Sequence, residues 1–185
     1  MRRRETGGEC NVETGGVLLR YTSLSVAVGL VSLVLLARAM SVEADPGPKG
    51  ADADLAKPAI DYLTVAKKGT LKNPYTDNPK AIAEGKQLYF SYSCNGCHGG
   101  TGGGGMCPPL SNAVWIYGSD DDTLFRLMAL GSKKLNEAGY ARKRTEKVKG
   151  PMVPFGELVE NADELWKILA FVRTTYRGDP KRRNW

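Results

Sequence analysis

The chain holds one histidine in 185 residues, and that count alone removes several chemistries. A three-histidine zinc site cannot be built within one protomer, and neither can a relay that passes protons between imidazoles. Whatever needs an imidazole must use His98. Cysteine is scarce as well: Cys10, Cys94, Cys97 and Cys107 are too few for a disulfide-dense scaffold. No segment shows the apolar–polar alternation of a half-buried strand, and no stretch repeats. The length leaves no room for a multidomain enzyme. Glycine is plentiful from Gly99 to Gly105, but that run has no following Lys-Ser or Lys-Thr, so it is not a phosphate cradle.

Apolar residues make up 42% of the chain and charged residues 25%, enough for most of it to fold around a core. The net charge of +6 invites a nucleic-acid reading, yet no nucleic-acid-binding motif accompanies it. Five basic and three acidic residues lie before residue 40, which leaves +4, and Lys181-Arg182-Arg183 crowd the far end. A lightly basic surface of this kind suits an acidic protein partner.

Arg2, Arg3, Arg4 and Arg20 precede an uncharged apolar run from Ser23 to Leu36, followed by Ala37-Arg38-Ala39. A spanning helix needs about 20 apolar residues, so this run reads as the h-region of a signal peptide over residues 1–39, with a small-x-small cleavage site. An uncleaved membrane anchor is the alternative, and a membrane enters only in that case. Either way the remainder lies outside the cytoplasm. Residues 40–77 read as an irregular arm, with a turn signal at Asp45-Pro46-Gly47-Pro48 and one short helical segment around Leu55 to Val65. The organised domain is expected over 78–177, and 178–185 form a basic tail.

Within the domain, Asn78 and Pro79 are the N-cap and first position of a helix carrying Ile82, Leu88 and Tyr89. Ser119 is expected to cap a second helix, with Asp120, Asp121 and Asp122 at its positive end. Leu124, Phe125, Met128 and Leu130 form its apolar face, and Gly131 is its stop. A third helix runs from about Ala162 to Tyr176, with Leu165, Trp166, Ile168, Leu169 and Val172 as a broad apolar stripe. The fold class is therefore all-α with long loops, and loops that long need something to pack around.

Cys94-Asn95-Gly96-Cys97-His98 supplies it. Cys-x-x-Cys-His is the pattern of covalent haem attachment, because two thiols three positions apart can each form a thioether to a haem side group. The adjacent imidazole can then ligate the iron. Zinc would need two more ligands, and the only other cysteines are Cys10 and Cys107, with no further histidine; a thioredoxin-like pair would need a βαβ setting. For the sixth iron position the methionines compete. Met106 follows His98 too closely, Met128 sits on an apolar helix face, and Met152 lies between Pro151 and Pro154 in a stiffened loop. Met152 is the favoured ligand; without it the haem would be open, suited to peroxidase chemistry or gas sensing.

With Gly85-x-x-Leu88-Tyr89, the haem cysteines, the proline-flanked methionine and Leu165-Trp166, residues 79–176 resemble a class I cytochrome c. Asn73-Pro74-Tyr75, the Gly99–Leu110 segment and Trp115-x-Tyr117-Gly118 resemble, within that class, the cytochrome cL group of periplasmic electron acceptors. The resemblance implies one haem c, thioethers at Cys94 and Cys97, and His98 and Met152 as axial ligands. It also implies single electrons taken from a pyrroloquinoline-quinone (PQQ) alcohol dehydrogenase, methanol dehydrogenase above all, and passed to a downstream cytochrome or oxidase. A general shuttle for another dehydrogenase is the alternative. In such a cytochrome Pro109 supports His98 through the carbonyl of its neighbour. Trp115 and Tyr117 either bond a haem propionate or form a core pair. Lys133, Lys134, Lys147 and Lys149 are candidates for steering an acidic partner. Cys107 stands where the group is expected to carry another residue, and a buried inert thiol is its plain reading.

Overall fold

Asn78 accepts hydrogen bonds from the amides of Lys80 and Ala81 at 3.0 and 3.1 Å, and Pro79 takes the first helical position where its missing N–H costs nothing. This opens the helix α3 in a computed structural model that describes residues 52–144 and 150–179. The expected leader, residues 40–51 of the arm, Lys147, Lys149 and the basic cluster at 181–183 lie outside the described residues. In chain order the elements are α1 (Asp52–Leu55), α2 (Ala59–Val65), α3 (Pro79–Ser91), α4 (Cys94–His98), α5 (Asp121–Glu137) and α6 (Ala162–Thr174). Among the described residues there is no strand, so the fold is all-α. No helix among them is long and apolar enough to cross a membrane.

Helices α3 and α6 form the main packing pair. They approach closely because α3 has glycine at the crossing: a Cβ on Gly85 would stand 1.9 Å from the Lys167 carbonyl oxygen. The stripe on α6 is buried along its length, with Leu165 and Trp166 fully enclosed. Trp166 stacks on Phe125 of α5 at 4.2 Å between centroids, and Phe171 meets Tyr89 of α3 edge-on at 5.2 Å.

Two expectations change on folding. The stretch before residue 78 is not an irregular arm where it is described. Helix α2 falls inside the expected segment, α1 precedes it, and Leu55, Ala59, Leu63, Leu71 and Tyr75 all join the core. The Ala162 amide at the start of α6 donates to the Lys57 carbonyl at 2.8 Å, and Asn73 Nδ2 donates to the Trp166 carbonyl at 3.1 Å. Single-sequence periodicity misses this because two short helices supply few apolar positions each, and tertiary contact rather than propensity stabilises them.

The cap of α5 also moves by one residue. Asp120, not Ser119, accepts from the Thr123 amide at 2.8 Å, and Asp121 and Asp122 are then free for tertiary bonds. Asp121 pairs with Arg173 of α6 and accepts from the Asn73 amide at 3.0 Å. Asp122, 1% exposed, accepts from Arg126 Nε at 3.0 Å and from the Tyr140 hydroxyl at 2.7 Å. Burial alone would push its pKa up. The bonds from Tyr140, Arg126 and the Gly69 amide outweigh that and hold it below the usual carboxylate range. A depressed pKa contributes stability in full above the unfolded value of about 4, and the contribution fades as pH falls through the folded value. Asp122→Ala is therefore expected to cost about 3 kcal/mol at pH 7, since it strands Arg126. Urea unfolding should show the gap to wild type shrinking as the pH falls towards 3, and a gap that does not shrink contradicts this account.

Candidate functional site

At the end of α3 the chain reverses through Ser93, which takes a left-handed conformation (φ 58°), and enters α4. Five residues make little more than one turn, so Cys94 and Cys97 come to neighbouring positions with His98 directly after them. The glycine-rich loop then folds back on this turn. Gly104 donates to the His98 carbonyl at 2.8 Å, Cys107 donates to the Cys97 carbonyl at 3.2 Å, and Leu110 donates to the Gly102 carbonyl at 2.7 Å. Gly99, Gly102 and Gly104 take positive φ, which glycine adopts without steric cost.

The fold-back places the Pro108 carbonyl 2.9 Å from His98 Nδ1. A carbonyl only accepts, so Nδ1 carries the proton and Nε2 keeps a lone pair for a metal. Burial pushes the His98 pKa down against the upward pull of Pro108, which keeps the ring neutral at pH 7, the form that ligates. The acceptor is the residue before Pro109, where the resemblance puts it. Tyr89 ties the same corner by donating to the Gly99 carbonyl at 2.7 Å. Burial, the largest cause, pushes the Tyr89 pKa up.

A cavity of about 620 Å³ opens against this turn, within the range of small-molecule and cofactor sites. Cys94, Cys97, His98, Pro109, Trp115, Tyr117 and Met152 all line it, although they span 59 positions of sequence. Aliphatic side chains of α5 and α6, among them Leu124, Leu127, Ile168 and Leu169, close the other walls. Met106 lies off the lining and is 60% exposed, whereas Met128 is on the wall and packs against the core. The indole N–H of Trp115 donates to the Leu110 carbonyl at 2.8 Å. The indole thus bonds the backbone, and its ring contributes an apolar wall to the cavity. Tyr117 is buried on the same cavity.

Cys107 is half-buried and lines the cavity beside Cys97, which the sequence did not reveal. Burial, the largest cause, pushes its pKa up, so it stays a neutral thiol. Ser132, Asn136 and Arg142 also line the cavity, and nothing in the sequence singles them out as site residues. All three follow the break at Gly131, and Ser132 and Asn136 lie within two turns of it, the one local signal that points there. Lys133 lies on the wall too, exposed, as is its neighbour Lys134.

Paired thiols on one helical turn, a neutral imidazole aimed by a backbone carbonyl, and a largely aliphatic cavity form the attachment site of a c-type haem, and the residues present fit that group. The cytochrome c family model matches residues 82–176, just over half of the chain, and the chain belongs to that family. It is a class I c-type cytochrome, an electron-transfer protein rather than an enzyme, with haem c covalently attached. Among solved structures it is similar to cytochrome cL from Hyphomicrobium denitrificans, at 27% identity and a TM-score of 0.50, over 75% of this chain and 69% of that one. Cytochrome cL from the marine methylotrophic bacterium Methylophaga aminisulfidivorans MPT matches at 26% identity with a TM-score of 0.49, over 69% and 74% of the two chains. No curated protein matches.

Proposed function

We propose that this cytochrome works in the periplasm, taking single electrons from a PQQ-dependent alcohol dehydrogenase and passing them to a downstream c-type cytochrome or terminal oxidase. The supporting observation is the likeness to cytochrome cL. It takes in 75% of the chain, more than the 82–176 span of the family match, so it reaches beyond the common haem domain. Methanol dehydrogenase is the first candidate donor.

In this reading Cys94 and Cys97 would carry the thioethers, and His98 and Met152 would supply a nitrogen and a sulfur to the iron. When bound, the haem would supply a one-electron iron couple whose potential those two residues help to set. The residues of the chain do the rest. Pro108 fixes the imidazole orientation and tautomer, and α5 and α6 present aliphatic walls to the cavity. Residues 1–39 act as the export signal and are removed. N-terminal sequencing of the secreted product checks that step; a product retaining residues 1–39 marks an anchor instead.

Stopped-flow reduction of the purified holo-protein tests the partner. A PQQ methanol dehydrogenase should reduce it at least about tenfold faster than an unrelated dehydrogenase of similar potential. Equal rates leave a general shuttle and sink the alcohol assignment.

Lys133 and Lys134 are exposed, Lys133 at the cavity wall, and the net charge is positive. Reduction by an acidic partner should slow as ionic strength rises from about 0.01 to 0.15 M, where the screening length falls from about 30 to 8 Å. A rate indifferent to salt removes the steering role.

A further inference from the structure

Helix α5 is broken at Gly131, whose φ of 70° and ψ of 168° lie outside the helical range. In an unbroken helix the carbonyls of Met128 and Ala129 would accept from the amides of Ser132 and Lys133. Here they accept from Phe155 at 2.9 Å and Gly156 at 3.0 Å. The Ser132 amide, released by the same break, donates to the Met152 carbonyl at 3.0 Å. Ser132 Oγ in turn accepts from the Met152 amide at 3.0 Å. Both polar groups of the Met152 backbone are thus bonded to one residue of α5. The break also makes room for the loop: a Cβ at 131 would stand 2.6 Å from the Met152 carbonyl oxygen and 2.8 Å from the Pro154 nitrogen.

We propose that Ser132 is a positioning residue for the iron ligand, holding the Met152 loop against the cavity and setting how readily an outside ligand displaces the thioether. This rests on the reading of Met152 as the sixth ligand. A methionine side chain is unbranched, with three rotatable bonds, and does little to hold its own position. The backbone must supply the restraint, and Ser132 bonds it at both its donor and its acceptor. Removing the hydroxyl leaves the half-buried Met152 amide without its acceptor while leaving the haem, the thioethers and His98 untouched.

The test uses the full-length holo-protein as wild type, Ser132→Ala, Ser132→Thr and Met152→Ala. Three quantities are read: the weak long-wavelength absorption of the ferric–thioether bond, the affinity of the ferric protein for imidazole, and that of the ferrous protein for carbon monoxide. Ser132→Ala should keep covalent haem yet bind both ligands roughly 3- to 10-fold more tightly, the factor one hydrogen bond commands. Ser132→Thr, which keeps the hydroxyl, should return to wild-type affinity. If Met152→Ala retains the absorption band, the ligand reading fails, and that variant alone reveals it. If Met152→Ala loses the band while Ser132→Ala binds both ligands as wild type does, the ligand reading stands and the positioning role is overturned. Hydrogen exchange on the wild type gives a measurement independent of any variant. Imidazole binding should speed exchange at the Met152 amide, and unchanged protection there overturns the proposal.

Discussion

Gly85→Ala is expected to destabilise the protein by about 3–5 kcal/mol, more than an ordinary overpacking substitution. The reason is what the new methyl group would meet. It would stand 1.9 Å from the Lys167 carbonyl oxygen and 2.4 Å from the carbon that bears it, both backbone atoms of α6. A side chain can rotate away from such a contact; a helix backbone cannot, so α3 and α6 must separate. Separation uncovers Leu165, Trp166 and Ile168, which are at most 1% exposed. For a domain of this size the loss corresponds to a fall in the thermal midpoint of roughly 10–20 °C. Differential scanning calorimetry of the holo-protein measures it, and a midpoint within 3 °C of wild type would falsify the close-crossing account.

His98→Ala is expected to have the second large effect, this time on the site rather than the fold. The chain has no other histidine, so no imidazole can substitute for it. The Pro108 carbonyl also loses the donor now 2.9 Å away. The variant should lose the low-spin absorption of the wild type, and free imidazole added to the exported protein should restore it. An unaltered spectrum without added imidazole would show that another group holds the iron, and the site as described would be wrong.

How much of this was readable in advance depended on whether the signal was local. The Cys94–His98 motif is local: three side chains within one turn state the chemistry wherever that turn is placed. The cap at Asn78 and the stripe on α6 are local too, because helical periodicity and capping need no partner to be recognised. Ser119 is the cap the sequence suggests and Asp120 the one that serves, since several consecutive capping residues compete and only the surroundings choose between them. Those surroundings were Arg126 and Tyr140 for Asp122, and Arg173 with the Asn73 amide for Asp121. Gly131 has the sequence signature of a helix end. It ends the hydrogen-bonding of one segment, but the helix resumes at once, and what the break releases is used by a loop twenty residues away.

Residue types and short spacings determined the helical class, the single available imidazole and the attachment of haem, because covalent and ligand chemistry depends on which atoms exist within a turn. Only the folded chain decided that Pro108 presents His98, that Cys107 shares the cavity with Cys97, that the segment before Asn78 belongs to the core, and that Ser132 bonds Met152. Each of these joins positions through bonds and packing whose partners a linear reading cannot enumerate, and burial gives a weak local preference its final form.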